Sequence, residues 1–227
     1  GNDLMQGRGG NDILSGDGGD DWIDGNDNRD TVDGGAGDDT VVGGLGADVL
    51  TGGADDDVLV GGEVLADPVS TTALGAIRGG ATLNDAISAL AIGDAITLVD
   101  DGASDVLDGG DGNDALYFGT GDTATGGSGQ DLFGVIATAG ATAPAVIADF
   151  DSAEDVVVII DPTLDPMAAA PLVTVNDDGA DALILLNGEV VGRVTDGAGK
   201  VNAGDIMVQG SVATSVIDPN AGPTAVT

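Results

Sequence analysis

The chain has 227 residues, of which 40 are acidic and five basic, so its formal net charge is −35 at pH 7. A charge of this sign and size repels the phosphates of nucleic acids and of anionic membrane surfaces, which argues against both as partners. With an aromatic content of 2%, the chain also has few rings for stacking on bases or sugars, and the partner that its charge attracts is a cation.

Residues 1–62 are built from a repeat of nine residues. Six complete nonapeptides run from Gly7 to Val60 without insertion or deletion, with GNDLMQ before them and Gly61-Gly62 after them. Place six of the repeat is always Asp, and place eight is always a branched apolar residue: Asp12, Asp21, Asp30, Asp39, Asp48 and Asp57, with Leu14, Ile23, Val32, Val41, Leu50 and Leu59. A fixed period predicts a solenoid of stacked coils. Because residue 1 falls inside a repeat, we expect the natural sequence to continue upstream of it.

Each place in the repeat has a physical role. Glycines in places one to six allow a turn with close backbone approach, and places seven to nine form a short strand whose middle residue points inward. Two nonapeptides make one coil of 18 residues, so stacking of the coils brings the Asp side chains into rows. A hard divalent cation with oxygen ligands removes the repulsion within such rows, and Ca²⁺ suits a flexible cage of about six to eight oxygens.

The repeats resemble the RTX (repeats-in-toxin, haemolysin-type) calcium-binding nonapeptide, G-G-x-G-x-D-x-U-x. The resemblance implies an all-β fold, a calcium-stacked parallel β-roll, with several Ca²⁺ ions between successive coils. In that family a site takes the carbonyls of places two and four and the Asp of one loop, together with the carbonyls of places one and three and the Asp of the loop 18 residues later.

This rule gives two ligand sets on each side of the roll in the first block. On one side the implied sets are Asp17, Gly19, Asp21, Gly34, Ala36 and Asp39, and Gly35, Gly37, Asp39, Gly52, Ala54 and Asp57. On the other side they are Arg8, Gly10, Asp12, Gly25, Asp27 and Asp30, and Asn26, Asn28, Asp30, Gly43, Leu45 and Asp48. The repeat GNDNRDTVD departs from the pattern, but Asn and Asp enter left-handed conformations more readily than most residues, so we keep its two sites.

The pattern breaks over residues 63–99, which we interpret as an insertion or cap, with a short helix at 82–93 and a strand at 95–99. Repeats resume in degenerate form over 100–134, where GGDGNDALY matches fully. Here the resemblance implies a fifth set, with 17 instead of 18 residues between its loops: Gly110, Gly112, Asp114, Gly126, Ser128 and Asp131. Asp105 with Asp122 is a weaker candidate pair.

Residues 135–210 contain strand-like runs separated by turn signals, among them the hairpin dipeptide Asn187-Gly188. They predict an antiparallel sheet that caps the open end of the roll. The segment resembles the one that follows the repeats in RTX proteins exported by type I secretion, which implies a secretion signal in the tail, residues 211–227; a disordered terminus is the alternative.

The sequence offers no catalytic chemistry, because it has no His and no Cys and no motif for a serine nucleophile or a phosphate-binding loop. We therefore predict that the chain itself is not an enzyme. For Trp22 and Tyr117, local packing is favoured over sugar binding.

The predicted function is that of a secreted calcium-binding module that folds on Ca²⁺ after type I export, with the secretion machinery as a transient partner. One alternative is a calcium-dependent structural or adhesive extracellular protein, such as a filament or surface-layer subunit, which would self-associate. Another is a non-catalytic C-terminal module of a secreted hydrolase or polysaccharide-modifying enzyme. No stretch is long and apolar enough to predict a transmembrane helix.

Overall fold

The computed structural model describes residues 1–65, 97–164 and 171–209. In chain order the strands are β1 (Leu4–Gly9), β2 (Ile13–Ser15), β3 (Trp22–Asp27), β4 (Thr31–Ala36), β5 (Thr40–Leu45), β6 (Val49–Ala54), β7 (Val58–Val60), β8 (Glu63–Leu65), β9 (Thr97–Val99), β10 (Val106–Asp111), β11 (Ala115–Phe118), β12 (Thr123–Ser128), β13 (Leu132–Ile136), β14 (Ala145–Ile147), β15 (Val156–Ile160), β16 (Val173–Asp178), β17 (Asp181–Leu186), β18 (Glu189–Val194) and β19 (Ile206–Gln209). A short 3-10 helix, Ala203–Asp205, precedes the last strand. In these ranges, no helix has the length and apolar character needed to cross a membrane.

The strands form two main sheets, and successive repeats contribute to them in turn. The first sheet has the order β1-β3-β5-β7-β11-β13-β15-β19, and the second has the order β16-β17-β18-β14-β12-β10-β6-β4-β2. All pairs between repeat strands are parallel and join residues 18 apart in the first block, as in Val32↔Leu50 and Val41↔Leu59. The chain thus winds as a parallel β-roll with two nonapeptides per coil, which confirms the predicted fold class.

The core of the roll consists of the place-eight residues, as predicted. Ile23, Val41, Leu50 and Leu59 have no exposed surface, and they belong to one apolar cluster between the two sheets. The ladder ends at Leu14, which is partly buried at the first coil. A three-residue strand cannot bury enough surface to be stable alone, so this shared ladder is what holds the coils in register.

The repeat strands are longer than the three residues that the sequence predicts. A typical strand, such as Thr31–Ala36, covers places seven to nine and then places one to three of the next repeat. The parallel register includes those added residues, as in Gly35↔Gly53. The turn is therefore confined to places four to six, because the backbone of places one to three also pairs with its neighbours.

The outward side chains of the first sheet are buried as well. Trp22, Val42, Val60 and Tyr117 belong to a second apolar cluster, which also contains Leu98 of the small antiparallel pair β8–β9. Places seven and nine do point away from the roll interior, but on this sheet they form a second layer of core. Packing thus accounts for Trp22 and Tyr117, which are 5% and 0% exposed.

The predicted antiparallel cap corresponds to β16, β17 and β18, which pair antiparallel. Asn187 and Gly188 both have positive φ, 54° and 92°, as the hairpin turn requires. In contrast, β14, β15 and β19 continue the two sheets in parallel instead of joining that cap. They do so because their inward residues, such as Ile147 and Ile159, extend the apolar core of the roll.

The two repeat blocks stack directly on each other, although residues 63–99 separate them in sequence. Strand β6 pairs with β10 in the register Val49↔Val106, and β7 pairs with β11. We call this contact between the blocks the junction. Of the strand predicted at 95–99, Thr97–Val99 is present; the helix predicted at 82–93 lies outside the described residues.

Candidate calcium sites

The place-six aspartates form two buried rows, one on each side of the roll. The first Asp row consists of Asp21, Asp39, Asp57, Asp114 and Asp131, and the second of Asp12, Asp30, Asp48, Asp105 and Asp122. In each row the backbone N–H of one Asp donates to Oδ1 of the Asp in the next coil, at 2.8 Å for Asp21 to Asp39 and for Asp30 to Asp48. The same bond persists at 3.0 Å from Asp114 to Asp131, where the coils are 17 residues apart.

In most of these carboxylates the second oxygen has no hydrogen-bond donor. Oδ2 is buried and unpartnered in seven of them: Asp12, Asp21, Asp30, Asp39, Asp48, Asp57 and Asp114. A buried carboxylate oxygen without a partner is costly, and native proteins pair such atoms with donors or with cations. A row of them at successive coils therefore fits a row of metal ions.

Glycine at place one leaves room for two oxygens that the ligand rule assigns to one site. A Cβ built on Gly34 would lie 2.5 Å from Oδ2 of Asp39 and 2.7 Å from the carbonyl oxygen of Gly52. On the other side, a Cβ on Gly7 would lie 2.6 Å from the Gly25 carbonyl oxygen and 2.9 Å from Oδ2 of Asp12. A carboxylate of one coil and a carbonyl of the next thus converge beside each place-one glycine.

Places two and four have left-handed backbone in every repeat of the first block. Their φ values include 115° at Gly35 and 118° at Gly37, and the divergent repeat keeps the same conformation, with 71° at Asn26 and 82° at Asn28. Arg8, with φ of 78°, also adopts it. The substitutions in GNDNRDTVD therefore leave the backbone of the loop unchanged, which supports carrying the ligand rule over to it.

The carbonyls of places two and four point at the following coil. A Cβ on Gly35 would lie 2.6 Å from the carbonyl oxygen of Asp17, and one on Gly37 would lie 2.7 Å from that of Gly19. The place-three carbonyls of the later loops lie opposite: Ala36 accepts from the Gly19 N–H at 2.8 Å. The same bond recurs at three other predicted sites, for Ala54 with Gly37, Leu45 with Asn28 and Ser128 with Gly112. A carbonyl oxygen has a second lone pair, which is free for a metal.

The structure thus brings together the loops of all five predicted ligand sets. In the set with Arg8, Gly10 and Asp12, the register Arg8↔Asn26 places the loop against the one that contains Asp27. Among the described residues, no three Asp, Glu, His or Cys side chains form a ready metal cluster. In the ligand rule, only two carboxylates serve each ion and the other oxygens are backbone carbonyls.

Burial raises the pKa of Asp39, Asp48 and Asp57 well above the ordinary value of 3.8. The pKa of Asp39 is raised to about 7 and that of Asp57 to about 8, mainly by desolvation. The backbone N–H donor lowers each value and neighbouring carboxylates raise it. The pKa of Asp48 is raised to about 6 by the same causes. A positive charge nearby would offset the desolvation and favour the ionised form of these carboxyl groups at neutral pH.

One ligand set was missed because it spans the junction. The rule for one coil and the next joins Gly53, Asp55 and Asp57 to Gly109, Asp111 and Asp114. The Asp57 N–H donates to Oδ1 of Asp114 at 2.8 Å although 57 residues separate them. Sequence reasoning applied the rule within each block only. The signal was available in the identical phase of GGADDDVLV and GGDGNDALY.

The end of the roll has further acidic residues that the prediction did not include. Asp155 continues the first Asp row by accepting from the Asp131 N–H at 3.1 Å, and Asp149 accepts from the Gly126 and Gly127 N–H groups at 2.9 Å. Of the weaker candidate pair, Oδ2 of Asp122 accepts from the Gly119 N–H at 2.6 Å. That oxygen already has a donor, which distinguishes Asp122 from the seven unpartnered carboxylates.

One family profile matches the repeats. The family profile for the RTX calcium-binding nonapeptide repeat, in four copies, matches residues 1–32, 33–63 and 97–123. A search of curated protein sequences gave no match. One similar solved structure is the AlgE6R3 subunit of the Azotobacter vinelandii mannuronan C5-epimerase, with 18% identity over 95% of this chain and 84% of that chain and a TM-score of 0.28. Another is the extracellular lipase LipA from Serratia marcescens, with 14% identity over 84% of this chain and 38% of that chain and a TM-score of 0.26. Residues 1–63 and 97–123 therefore match the RTX calcium-binding nonapeptide repeat, a repeat that binds several Ca²⁺ ions.

Proposed function

We propose that this chain is a non-catalytic module that is exported unfolded by a type I secretion system and folds outside the cell on binding Ca²⁺. The observation that carries the proposal is the set of buried, unpartnered Oδ2 atoms in the two Asp rows. In the cytoplasm Ca²⁺ is too scarce to fill such sites, and outside the cell it is millimolar. The same sequence then has no stable roll before export and a stable one after it.

Calcium binding and folding are coupled because each site is made from two coils. Each proposed site takes oxygens from two successive coils, so it exists only when those coils are stacked. Binding free energy is then folding free energy. One site that binds only the folded state adds about 2.7 kcal/mol when free Ca²⁺ exceeds its dissociation constant about 100-fold. Because several sites bind only the folded state, the stability of the fold depends steeply on calcium concentration.

Far-UV circular dichroism tests the folding step. We expect little regular structure in EGTA and a β-sheet spectrum in millimolar Ca²⁺, with Mg²⁺ much less effective because it demands a stricter octahedral geometry. A spectrum that shows the fully folded chain in EGTA would overturn the proposal.

A matched pair of substitutions tests the proposed ligands. Asp39 is shared by two proposed sites and is 1% exposed, so Asp39→Asn should weaken calcium binding in calorimetric titration. Asp33, at place nine, is an exposed residue of β4, and Asp33→Asn should leave the titration unchanged. Equal titration curves for the two variants would contradict the assignment.

The export step rests on the family resemblance of the segment after the repeats. We assign the signal to residues 211–227, which lie outside the described ranges. In cells that carry a type I exporter, the full chain should reach the medium and a chain that ends at residue 210 should stay inside. Equal export of the two would refute this assignment and would leave calcium binding untouched.

A further inference from the structure

The turn between β17 and β18 contains the one Asn-Gly dipeptide of the sequence. Asn187 and Gly188 are both exposed, and a Cβ built on Gly188 would meet nothing within 4 Å. The side-chain Cγ of an asparagine and the backbone nitrogen of the next residue can close a five-membered ring. A glycine at the next position offers no side chain to hinder that closure, and its backbone turns freely. The turn therefore has the residues for an intramolecular reaction.

The hydrogen bonds around this turn leave the reacting atoms available. Oδ1 of Asn187 accepts from the Leu172 N–H at 3.0 Å, and this donor would stabilise negative charge that develops on Oδ1 when a nucleophile attacks Cγ. Within the described ranges, neither the Gly188 N–H nor the side-chain NH₂ of Asn187 donates a hydrogen bond. The nucleophile and the leaving group are thus both free, and the carbonyl between them is polarised.

Asparagines at place five of the roll are held differently. Asn2, Asn11 and Asn113 each precede a place-six Asp, whose N–H is the nitrogen that ring closure would need. In all three cases that N–H donates to a carboxylate oxygen of the next coil: Asp3 to Asp21 at 2.6 Å, Asp12 to Asp30 at 2.8 Å and Asp114 to Asp131 at 3.0 Å. The bonds of the Asp rows therefore fix the backbone nitrogens that follow these asparagines.

We infer that Asn187 is a site of spontaneous covalent modification, at which the backbone nitrogen of Gly188 displaces the side-chain amide. The Gly188 nitrogen forms a bond to Cγ of Asn187, and the Cγ–Nδ2 bond breaks. The proton of the Gly188 N–H passes through solvent to the leaving NH₂ group, which departs as ammonia. Water then adds to one of the two carbonyls of the cyclic imide and opens the ring to aspartate or isoaspartate. Nothing is oxidised or reduced, and water is the co-reactant.

The reaction changes how β16 is held in the cap. Asn187 binds Leu172 twice, because its N–H donates to the Leu172 carbonyl at 2.8 Å and its Oδ1 accepts from the Leu172 N–H at 3.0 Å. Val173 pairs with Leu186 as the first backbone rung of β16 and β17, so the side chain of Asn187 supplies one rung more. In isoaspartate the main chain runs through Cγ and gains one CH₂ in a two-residue turn, whose length sets the hairpin register. We expect that product to lose the added rung.

The experiment follows the full chain in millimolar Ca²⁺ at mildly alkaline pH, in water labelled with heavy oxygen. Peptide mass spectrometry should show the label at position 187, and chromatography should separate the aspartate and isoaspartate products. Asn176 is an internal control, because it is an exposed residue of β16 that precedes Asp177 and not glycine. It should remain unlabelled over the same time.

A matched pair of variants separates the reaction from the stability of the cap. Gly188→Ala places a side chain on the attacking residue and should slow the conversion of Asn187 about tenfold or more, because such reactions depend on close approach of the two atoms. Gly179→Ala is the control. Gly179 also has positive φ, 73°, with room for a Cβ, and it lies in the turn between β16 and β17, so this variant strains the same cap without touching the reacting atoms. Its conversion rate should match the wild type.

Three outcomes overturn the inference. The first is an absence of label at position 187, and the second is equal labelling of Asn176. The third is equal conversion rates in the two glycine variants, because the attacking nitrogen would then not limit the reaction. Amide hydrogen exchange tests the consequence for the cap: the Leu172 N–H should exchange faster in the isoaspartate product than in the fresh chain, and unchanged exchange would refute the loss of the rung.

Discussion

Glycine at place one of the repeat is required for space. Gly34 has no positive φ, but a Cβ there would overlap Oδ2 of Asp39 and the carbonyl oxygen of Gly52. Glycine at places two and four is required for conformation, as the φ of 115° at Gly35 shows. A residue with a Cβ can adopt positive φ at some cost, which is why Asn and Arg occur among the residues of places two and four. No Cβ fits at place one, which is glycine in all six complete repeats.

Gly34→Ala tests the space requirement. The added Cβ would displace two proposed ligands of one site, so we expect weaker calcium binding and a loss of about 1–3 kcal/mol, typical of overpacking. Calcium titration and urea unfolding in saturating calcium measure the two effects. Gly9→Ala is the control, because a Cβ there meets nothing within 4 Å; equal behaviour of the two variants would disprove the steric argument.

Arg8 tests the conformational requirement. Its φ of 78° puts a residue with a Cβ in the left-handed region, which costs about 1–2 kcal/mol relative to ordinary backbone. Arg8→Gly should therefore be more stable than Arg8→Ala by about 1 kcal/mol in calcium. Both variants remove the same charge, so a difference in their unfolding midpoints reports the backbone alone, and no difference would show that this turn tolerates a Cβ.

At the scale of the strand, one inward residue per nonapeptide carries the packing. Leu50 of β6 is fully buried, whereas its neighbour Val49 is 42% exposed on the outer face of the second sheet. The register Val32↔Leu50↔Leu107 places Leu50 in an uninterrupted ladder that runs through the junction. A gap at this position should therefore weaken both repeat blocks together.

Leu50→Ala should cost about 2–5 kcal/mol of unfolding free energy, the usual range for a buried leucine. Val49→Ala, one residue away on the opposite face, should cost less than about 0.5 kcal/mol. Urea unfolding in saturating calcium gives both numbers. A comparable loss in the two variants would mean that the outer face of β6 is covered by another part of the chain or by a second molecule.

The elements also show what the sequence could and could not predict. Periodicity predicted the stacked coils, the inward residues such as Leu59 and the rows of Asp side chains, because all three repeat at fixed spacing. The parallel β-roll was implied by the resemblance of the repeats to the RTX family. Periodicity did not predict that β14, β15 and β19 would pair in parallel, because an apolar run such as VVVII has no signal for strand direction. The ligand set that spans the junction was missed for a related reason, because a long insertion hides the spacing of its two loops.

At the scale of the whole molecule, the roll is a stack of buried acidic groups in a chain of net charge −35. The pKa values of Asp57 and Asp105 are raised to about 8, and that of Asp114 to about 7, chiefly by desolvation. Protons and Ca²⁺ are therefore alternative ways to neutralise the same carboxylates. The pH dependence of stability should differ between the calcium-free and calcium-bound chain.

In calcium-free solution, stability should fall as the pH rises from about 4 to about 8. The unfolded chain releases these protons near the ordinary value of 3.8, whereas folded Asp57 and Asp105 keep theirs up to about 8. The folded state thus binds more protons throughout this window, and stability decreases with pH wherever that holds. Arg193 lowers the pKa of Asp181, so the contribution of Asp181 to stability increases with pH, and it changes only below this window. The far-UV circular dichroism of the calcium-free chain at pH 4.5, 6 and 8 measures the trend as a loss of β-sheet signal with rising pH, and a gain of that signal over the window would contradict it.

Asp57→Asn supplies the control, because it replaces one titrating carboxyl group with a neutral side chain of the same shape. Without calcium at pH 8, the variant should be more stable than the wild type, since no buried charge has to form. In saturating calcium the order should reverse, because Asp57 belongs to two proposed sites and its Oδ2 is one of the unpartnered oxygens. A variant that is less stable than the wild type in both conditions would contradict the prediction, because the carboxylate would then stabilise the roll even without calcium.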